Sequence, residues 1–261
     1  MAEPFLVATR NFTEKPDTDM FKMHTHSTHE LYCFMNGSAN YYVEGNVYKL
    51  RQGDLLIMRK GEAHSLLINK QQPYERIIVN FSNEALVGET ATSILNFIEN
   101  RPLGRYNRYS ATELKEKNLH YYLNRILATD DFAQKQLYLT LILNELCQKY
   151  PEPQENDQKH DIFIELVTYI NSHLSEEITL DLLSEKFYLS KTHLIRLFKK
   201  NTGSTVWNYL LAKRLVLARE LLMSGERPTE VYLRAGFNDY SSFFKAYKAK
   251  YKKSPKEDFV K

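Results

Sequence analysis

The chain has 261 residues, of which 43% are apolar and 26% charged, with a formal net charge of +3. This length favours two domains over one, and no apolar run approaches the ~18 residues that a membrane span requires. The two cysteines, Cys33 and Cys147, lie in unrelated contexts, which suits free thiols in a reducing cytoplasm and leaves no cysteine-based zinc site.

The opening MAEPFLVATRNF has no basic stretch followed by a long apolar core, so neither a secretion signal nor a membrane partner is expected. From Met1 to Asp19 the composition permits an arm that folds over a neighbouring pocket. Runs rich in Tyr, Val, Ile and Leu then follow at short intervals: Glu30–Met35, Ala39–Val43, Val47–Leu50, Leu55–Met58, His64–Ile68 and Glu75–Phe81. Turn signals separate them at Asn36-Gly37, Gly45-Asn46, Gly53-Asp54, Lys60-Gly61 and Gln71–Pro73. Many short strands with regular turns predict an antiparallel sandwich or barrel over residues 20–83. Residues 40–50 read as a hairpin turning at Gly45-Asn46.

The front of this region carries His24, His26 and Glu30, with His64 further on. Histidines two apart on a strand share a face, so His24 and His26 would point into the barrel, where Glu30 and His64 join them. His29 alternates to the opposite face and reads as a surface residue. Tyr32 and Tyr41 either line the same interior or simply fill it. Three imidazoles and a carboxylate suit a divalent metal, and they equally suit a polar small-molecule pocket without any cofactor.

At these residues the chain resembles the cupin barrel. Its first motif is matched by His24, His26, Glu30 and Gly37, and its second by Gly53, Gly61 and His64, with Arg59 and Ile68 departing from the usual proline and asparagine. The resemblance implies either an effector pocket lined by His24, His26, Glu30, Tyr32, Tyr41 and His64 or, as the alternative, a metal-dependent isomerase or dioxygenase with His24, His26, Glu30 and His64 as ligands.

From Thr90 the period changes to that of helices, over residues 90–150. Ile94, Leu95, Phe97 and Ile98 mark one. Ser110 reads as the cap of a second, Ala111–Ala128. Asp131 opens a third, Phe132–Tyr150, whose leucines exceed what a single apolar stripe needs. Packing on a second copy of the chain is one source of that excess. Pro151–Lys159 has two prolines and no large apolar residue and reads as a linker. The expected division is thus residues 1–150, 151–159 and 160–261.

The part from His160 onward holds 17 Lys and Arg against 12 Asp and Glu, whereas the preceding residues hold 18 against 20. A basic C-terminal part points towards nucleic acid. Asp161–Leu174 is an amphipathic helix, and Thr179 caps the next, Leu180–Lys186. After the turn at Phe187–Leu189, Ser190 caps a helix that Gly203 ends. Leu194, Leu197 and Phe198 lie on one face of it, and Lys191, Thr192, Arg196, Lys199 and Lys200 on the other. A long helix, Thr205–Ser224, follows. Pro228 suits the first turn of the next, and Asp239 caps Tyr240–Lys250. The Ser190 pattern returns 49 residues later, with Asp239 for Ser190, Phe243 for Leu194, Lys245 for Arg196 and Tyr247 for Phe198. Two helix-turn-helix units are predicted.

Here the chain resembles the DNA-binding region of the AraC/XylS family of transcription regulators. The carrying residues are Ser190, Leu194, Arg196, Phe198 and Lys199; Tyr209, Leu210, Arg214, Leu215, Ala218, Leu221 and Leu222; and Gly236, Phe237, Asp239, Ser241, Phe243, Ser254 and Pro255. Tyr232 stands where alanine is usual, Ser242 where tyrosine is, and Lys252 where glycine is. The resemblance implies a transcriptional activator, acting as a homodimer with double-stranded DNA and RNA polymerase as partners, and a carbohydrate as effector. Early residues of each second helix meet base edges in such units: Lys191, Thr192, Ile195, Arg196 and Lys199 in the first, and Tyr240, Ser241, Ser242, Phe244 and Lys245 in the second. The fold class expected is α+β and multidomain: a cupin-like β-barrel followed by helices, then an all-α domain.

Overall fold

Apolar-polar alternation in the first eighty residues folds as strands. The computed structural model describes residues 4–114, 117–148, 150–151 and 162–259. Its strands are β1 (Leu6–Thr13), β2 (His29–Asn36), β3 (Ala39–Val43), β4 (Asn46–Lys49), β5 (Leu55–Met58), β6 (His64–Ile68), β7 (Tyr74–Phe81) and β8 (Arg108–Tyr109). They form two antiparallel sheets, ordered β1-β7-β2-β5-β8 and β4-β3-β6. Each strand of the barrel has two working faces. Tyr32, Phe34, Tyr41, Leu56, Met58, Leu66 and Tyr74 build the interior cluster. Leu31, Cys33, Leu55, Ile57, Ile77, Val79 and Phe81 turn outward, against the helices.

Three details depart from the sequence reading. Residues 6–13 are a full strand, paired from Leu6 opposite Phe81 to Thr13 opposite Tyr74, rather than a free arm. Only Leu6 among them is buried, so little alternation marks the strand. The hairpin turns at Glu44-Gly45, because a tight two-residue turn needs positive φ at both centres; here φ is 47° and 89°. Glu44 is held there by the Ala63 amide, which donates to its carboxylate at 2.6 Å.

Helices α1 (Thr90–Asn100), α2 (Leu119–Ala128) and α3 (Phe132–Leu146) supply Ile94, Ile98, Leu123, Ile126, Leu139, Ile142 and Leu143 to the outer cluster. The helix expected from Ala111 begins instead at Leu119. Ser110 and Glu113 close a single turn on each other, and Asn118, at φ 51°, breaks the path into α2. Asp131 caps α3 as expected, accepting from the Gln134 amide.

The contacts divide the chain into two compact units, the second built on His160–Lys261. Of the expected linker, residues 152–159 lie outside the described residues. From residue 162 to 259 the regular elements of the second unit are all helices: α4 (Ile162–Ser172), α5 (Leu180–Phe187), α6 (Lys191–Thr202), α7 (Val206–Met223), α8 (Pro228–Arg234) and α9 (Tyr240–Tyr251). Oxygen caps stand at Thr179, Ser190, Thr205 and Asp239, each accepting from an amide three residues on. Pro228 is in the first turn of α8. No helix among the described residues is long and apolar enough to cross a membrane.

Candidate nucleic-acid interface and effector pocket

The first helix pair is α5 and α6. Leu194 and Phe198 are fully buried on the inner face of α6, and Phe198 meets Phe163 of α4 and Tyr209 of α7 edge-on at 5.2 and 5.5 Å. This seat fixes the opposite face outward, where Lys191, Thr192, His193, Ile195, Arg196, Lys199 and Lys200 are exposed. Lys191 pairs with Asp181 of α5 at 2.5 Å, both well exposed, so it braces the turn as well as adding charge. His193, Arg196, Leu197 and Lys200 line one shallow groove on this face. His193 was absent from the sequence reading; its place between Thr192 and Leu194 on a capped helix already puts it on the outer face.

The second pair is α8 and α9. Phe243 and Tyr247 are buried with Leu215, Ala218 and Leu222 of α7 and Val231, Ala235 and Phe237. Tyr240, Ser241, Ser242 and Lys245 are exposed, and Phe244 is half-buried beside Tyr240, with ring centroids 6.2 Å apart. Tyr232, in place of a small residue, packs edge-on against Tyr240 at 5.8 Å. The unusual tyrosine thus finds a partner, and α8 and α9 both form. Lys252 ends α9 in the left-handed region at φ 58°, where glycine is the unstrained choice.

Arg196, Lys199 and Lys200 of α6 and Lys245 and Lys248 of α9 leave the outer face of each helix cationic and exposed. Such a face can donate to phosphate oxygens and to guanine edges. α7, of 18 residues, is roughly 27 Å long and carries both pairs.

In the barrel, Glu30, Tyr32, Tyr41 and His64 are all buried and converge on the interior. Tyr41 Oη donates to Glu30 at 3.2 Å, and its ring stacks on His64 with centroids 5.9 Å apart. His26 Nε2 lies 3.1 Å from the Glu30 carboxylate. His24 is exposed and belongs to no extended strand, and His26 lies in a coil segment, so no regular strand fixes the His24–His26 face as the sequence suggested. Their ring nitrogens still lie with that of His64 inside 4.8 Å of one another, a spacing that could hold a metal ion. Burial raises the Tyr32 hydroxyl pKa well above its ordinary value, and the neighbouring Tyr74 adds to this. Burial does the same for Tyr41, with Glu30 next. Both therefore remain neutral donors.

His29 is not a surface residue. It is fully buried, 2.8 Å from Asn83 Oδ1 and accepting from the Lys60 amide at 3.3 Å. Burial lowers its pKa, so it is a neutral structural group holding the start of β2.

Three interior residues of β7 escaped the sequence reading: Tyr74, Arg76 and Asn80. Tyr74 Oη meets Tyr32 Oη at 2.7 Å. The Arg76 guanidinium lies over the Phe21 ring at 5.0 Å and the Tyr74 ring at 5.2 Å. Arg76 Nη1 and Asn80 Oδ1 are buried without a partner among the described residues. The alternation Tyr74, Arg76, Ile78, Asn80 was the available signal, since Tyr74 and Ile78 alone fix which face looks inward.

A family model described as an AraC-like ligand binding domain matches residues 11–114, and one described as a helix-turn-helix domain matches residues 183–259. The uncharacterized HTH-type transcriptional regulator YbfI of Bacillus subtilis is 25% identical over 233 residues, covering 85% of this chain and 80% of its own length. The HTH-type transcriptional activator RhaS of Mannheimia succiniciproducens is 25% identical over 246 residues, covering 92% and 89%. Among solved structures, the C-terminal domain of the response regulator yesN from Fusobacterium nucleatum is 33% identical, with a TM-score of 0.35, over 37% of this chain and 95% of that one.

Proposed function

This chain belongs to the AraC/XylS family of transcription regulators, and on that premise we propose that it activates transcription in response to a carbohydrate bound in its barrel. The observation that carries the DNA half is the repeated design of α6 and α9. Each has an oxygen cap and two buried apolar anchors, and each leaves an exposed basic face. Base edges would be met by Lys191, Thr192, Ile195 and Arg196, and by Tyr240, Ser241, Ser242, Phe244 and Lys245, with Lys199 on phosphate. One rigid α7, near the ~34 Å of a DNA turn, would set the two helices in successive major grooves of one asymmetric site.

The effector half rests on the neutral hydroxyls of Tyr32 and Tyr41 beside Glu30, His26 and His64, a donor-acceptor mixture suited to a polyol. Binding there favours one arrangement of the regulator and shifts its DNA affinity or its contact with RNA polymerase by that difference. Activation, rather than repression, is the role in the name of the RhaS relative. Residues 1–150 would be the effector and dimerisation domain, 151–159 the linker and 160–261 the DNA-binding domain of a cytoplasmic, non-enzymatic protein. Leu137 and Leu141 of α3, 55% and 47% exposed, would face a second copy. Leu141→Glu should then convert dimers to monomers in sedimentation. Footprinting on the DNA flanking its own gene, with and without a panel of sugars, tests the whole. Protection of two consecutive major grooves that changes with one sugar is expected, and protection unaltered by any sugar would sink the effector role.

The convergence of His24, His26 and His64 favours a second reading, a barrel that holds a divalent metal with Glu30 beside it and acts as an isomerase or dioxygenase. Elemental analysis of protein purified without chelators separates the two: stoichiometric metal supports the enzyme, and its absence removes it.

A further inference from the structure

The effector reading leaves one half-buried charged group without a task. Arg76 sits on the inward face of β7, opposite Phe34 of β2. It forms no ion pair with any described residue. The interior carboxylate, Glu30, is instead engaged by His26 at 3.1 Å and by the Tyr41 hydroxyl at 3.2 Å. The guanidinium packs against two adjoining rings, Phe21 at 5.0 Å and Tyr74 at 5.2 Å, and is hydrogen-bonded to the Tyr74 hydroxyl. Nη1 is buried and unpartnered.

A guanidinium nitrogen buried without an acceptor is costly. The adjoining rings attract the cation but do not accept from Nη1 or neutralise it. What satisfies such a group best is a planar anion that accepts two parallel N–H bonds, a carboxylate. The remaining interior groups do not supply one. Tyr32 and Tyr74 are hydroxyls bonded to each other at 2.7 Å, Tyr41 is committed to Glu30, and His64 stacks on Tyr41. They offer contacts to hydroxyls, close to where the carboxylate would dock. Phe21, Ile78 and Arg76 itself are only partly buried, so this side of the interior cluster is not sealed from solvent.

We infer that the effector is a hydroxylated carboxylate, a sugar acid, whose carboxylate is bound by Arg76 while the tyrosine hydroxyls read its hydroxyl groups. This rests on the barrel being the effector pocket, and it replaces a neutral sugar by an anionic one.

The test titrates the full-length protein by calorimetry and thermal shift with D-glucuronate, D-galacturonate and D-gluconate, each beside its neutral counterpart D-glucose, D-galactose or D-glucitol. Saturable binding of at least one acid, with its neutral counterpart at least tenfold weaker, is expected. Arg76→Gln should remove that preference, and Arg76→Lys, which keeps the charge but loses the fork, should retain part of it. The acid-against-neutral comparison in the unaltered protein decides the matter even if a variant fails to fold. Equal or tighter binding of a neutral sugar, unchanged in Arg76→Gln, overturns the anionic effector and leaves the carbohydrate reading standing. No binding of any of the six compounds overturns both.

Discussion

Arg214 and Gly236 lock the two helix pairs of the C-terminal unit together: a Cβ at position 236 would lie 2.7 Å from Arg214 Nε. Arg214, near the middle of α7, donates from Nε to Leu174 O at 2.9 Å and from Nη2 to Glu176 O at 2.6 Å, in the loop before α5. Gly236, in the turn between α8 and α9, closes over the same spot against the Leu174 carbonyl. The turn of the second unit thus rests on the arginine that anchors the first.

Gly236→Ala should therefore destabilise the whole C-terminal unit. The residue has φ +83°, and overpacking adds to backbone strain, together on the order of 2–4 kcal/mol. Gly203→Ala is the control: φ is +66° but nothing lies within 4 Å of its Cβ, so only strain of about 1 kcal/mol is expected. Urea unfolding of both variants measures the difference, and equal losses would contradict the packing argument.

In the barrel, Glu62 and Arg101 form a buried pair at 2.8 Å. Burial pushes the Glu62 pKa up, but Arg101, the Gly104 amide and Arg59 outweigh it and hold the carboxyl below its ordinary 4.5. A carboxyl depressed in the folded state contributes stability above its unfolded pKa and loses it as pH falls through the folded one. The barrel should therefore weaken on acidification below about pH 4.5. Arg101→Met leaves the carboxylate uncompensated and should cost about 3–5 kcal/mol at neutral pH. Melting temperatures from pH 7 to pH 3 test both, since the variant, lacking the depression, should narrow its gap to the parent as pH falls.

Ser190→Ala removes the oxygen that accepts from the His193 amide at 3.2 Å and should cost about 1 kcal/mol. At Asp239 the Ser242 amide at 2.8 Å and the Ser242 hydroxyl depress the carboxyl pKa. That cap is therefore at full strength above the ordinary aspartate range and lost as pH falls through the depressed value. Acid should fray α9 before α6, which amide exchange at Ser242 and His193 would report.

On DNA, Arg196→Ala should cost about 1–3 kcal/mol at one base position and relax specificity there. Lys199→Ala should weaken all sequences alike and lower the salt dependence by about one counterion. Binding to single-base operator variants at several salt concentrations separates these, and a uniform loss from Arg196→Ala would reassign it to phosphate.

The helices of the C-terminal unit were legible because their determinants are local. Thr179, Ser190 and Asp239 each cap within three residues, and Gly203 stops α6 on its own φ. Asn118 gave no such warning. Its left-handed turn replaces the start of the helix read from Ala111, and asparagine in that region leaves no pattern in the neighbouring apolar residues. His29 was misplaced because its burial depends on Asn83, 54 positions away. Alternation assigned it correctly to the face opposite Glu30, but that face is covered by α1 and its approach rather than by water. Arg76 was passed over for the converse reason: a charged residue on a strand suggests solvent, and only the aromatic rings brought to it by β7 and by the turn at Phe21 show where it points.

The length of α7 has an evolutionary consequence. Each inserted or deleted residue in a continuous helix turns everything beyond it by about 100°. A single-residue insertion between Tyr209 and Leu222 would swing α9 away from the side that α6 faces and strip its apolar anchors of their partners. This segment can drift by substitution but not by length, so new target sites must be acquired through the outward residues of α6 and α9 and not through the distance between them.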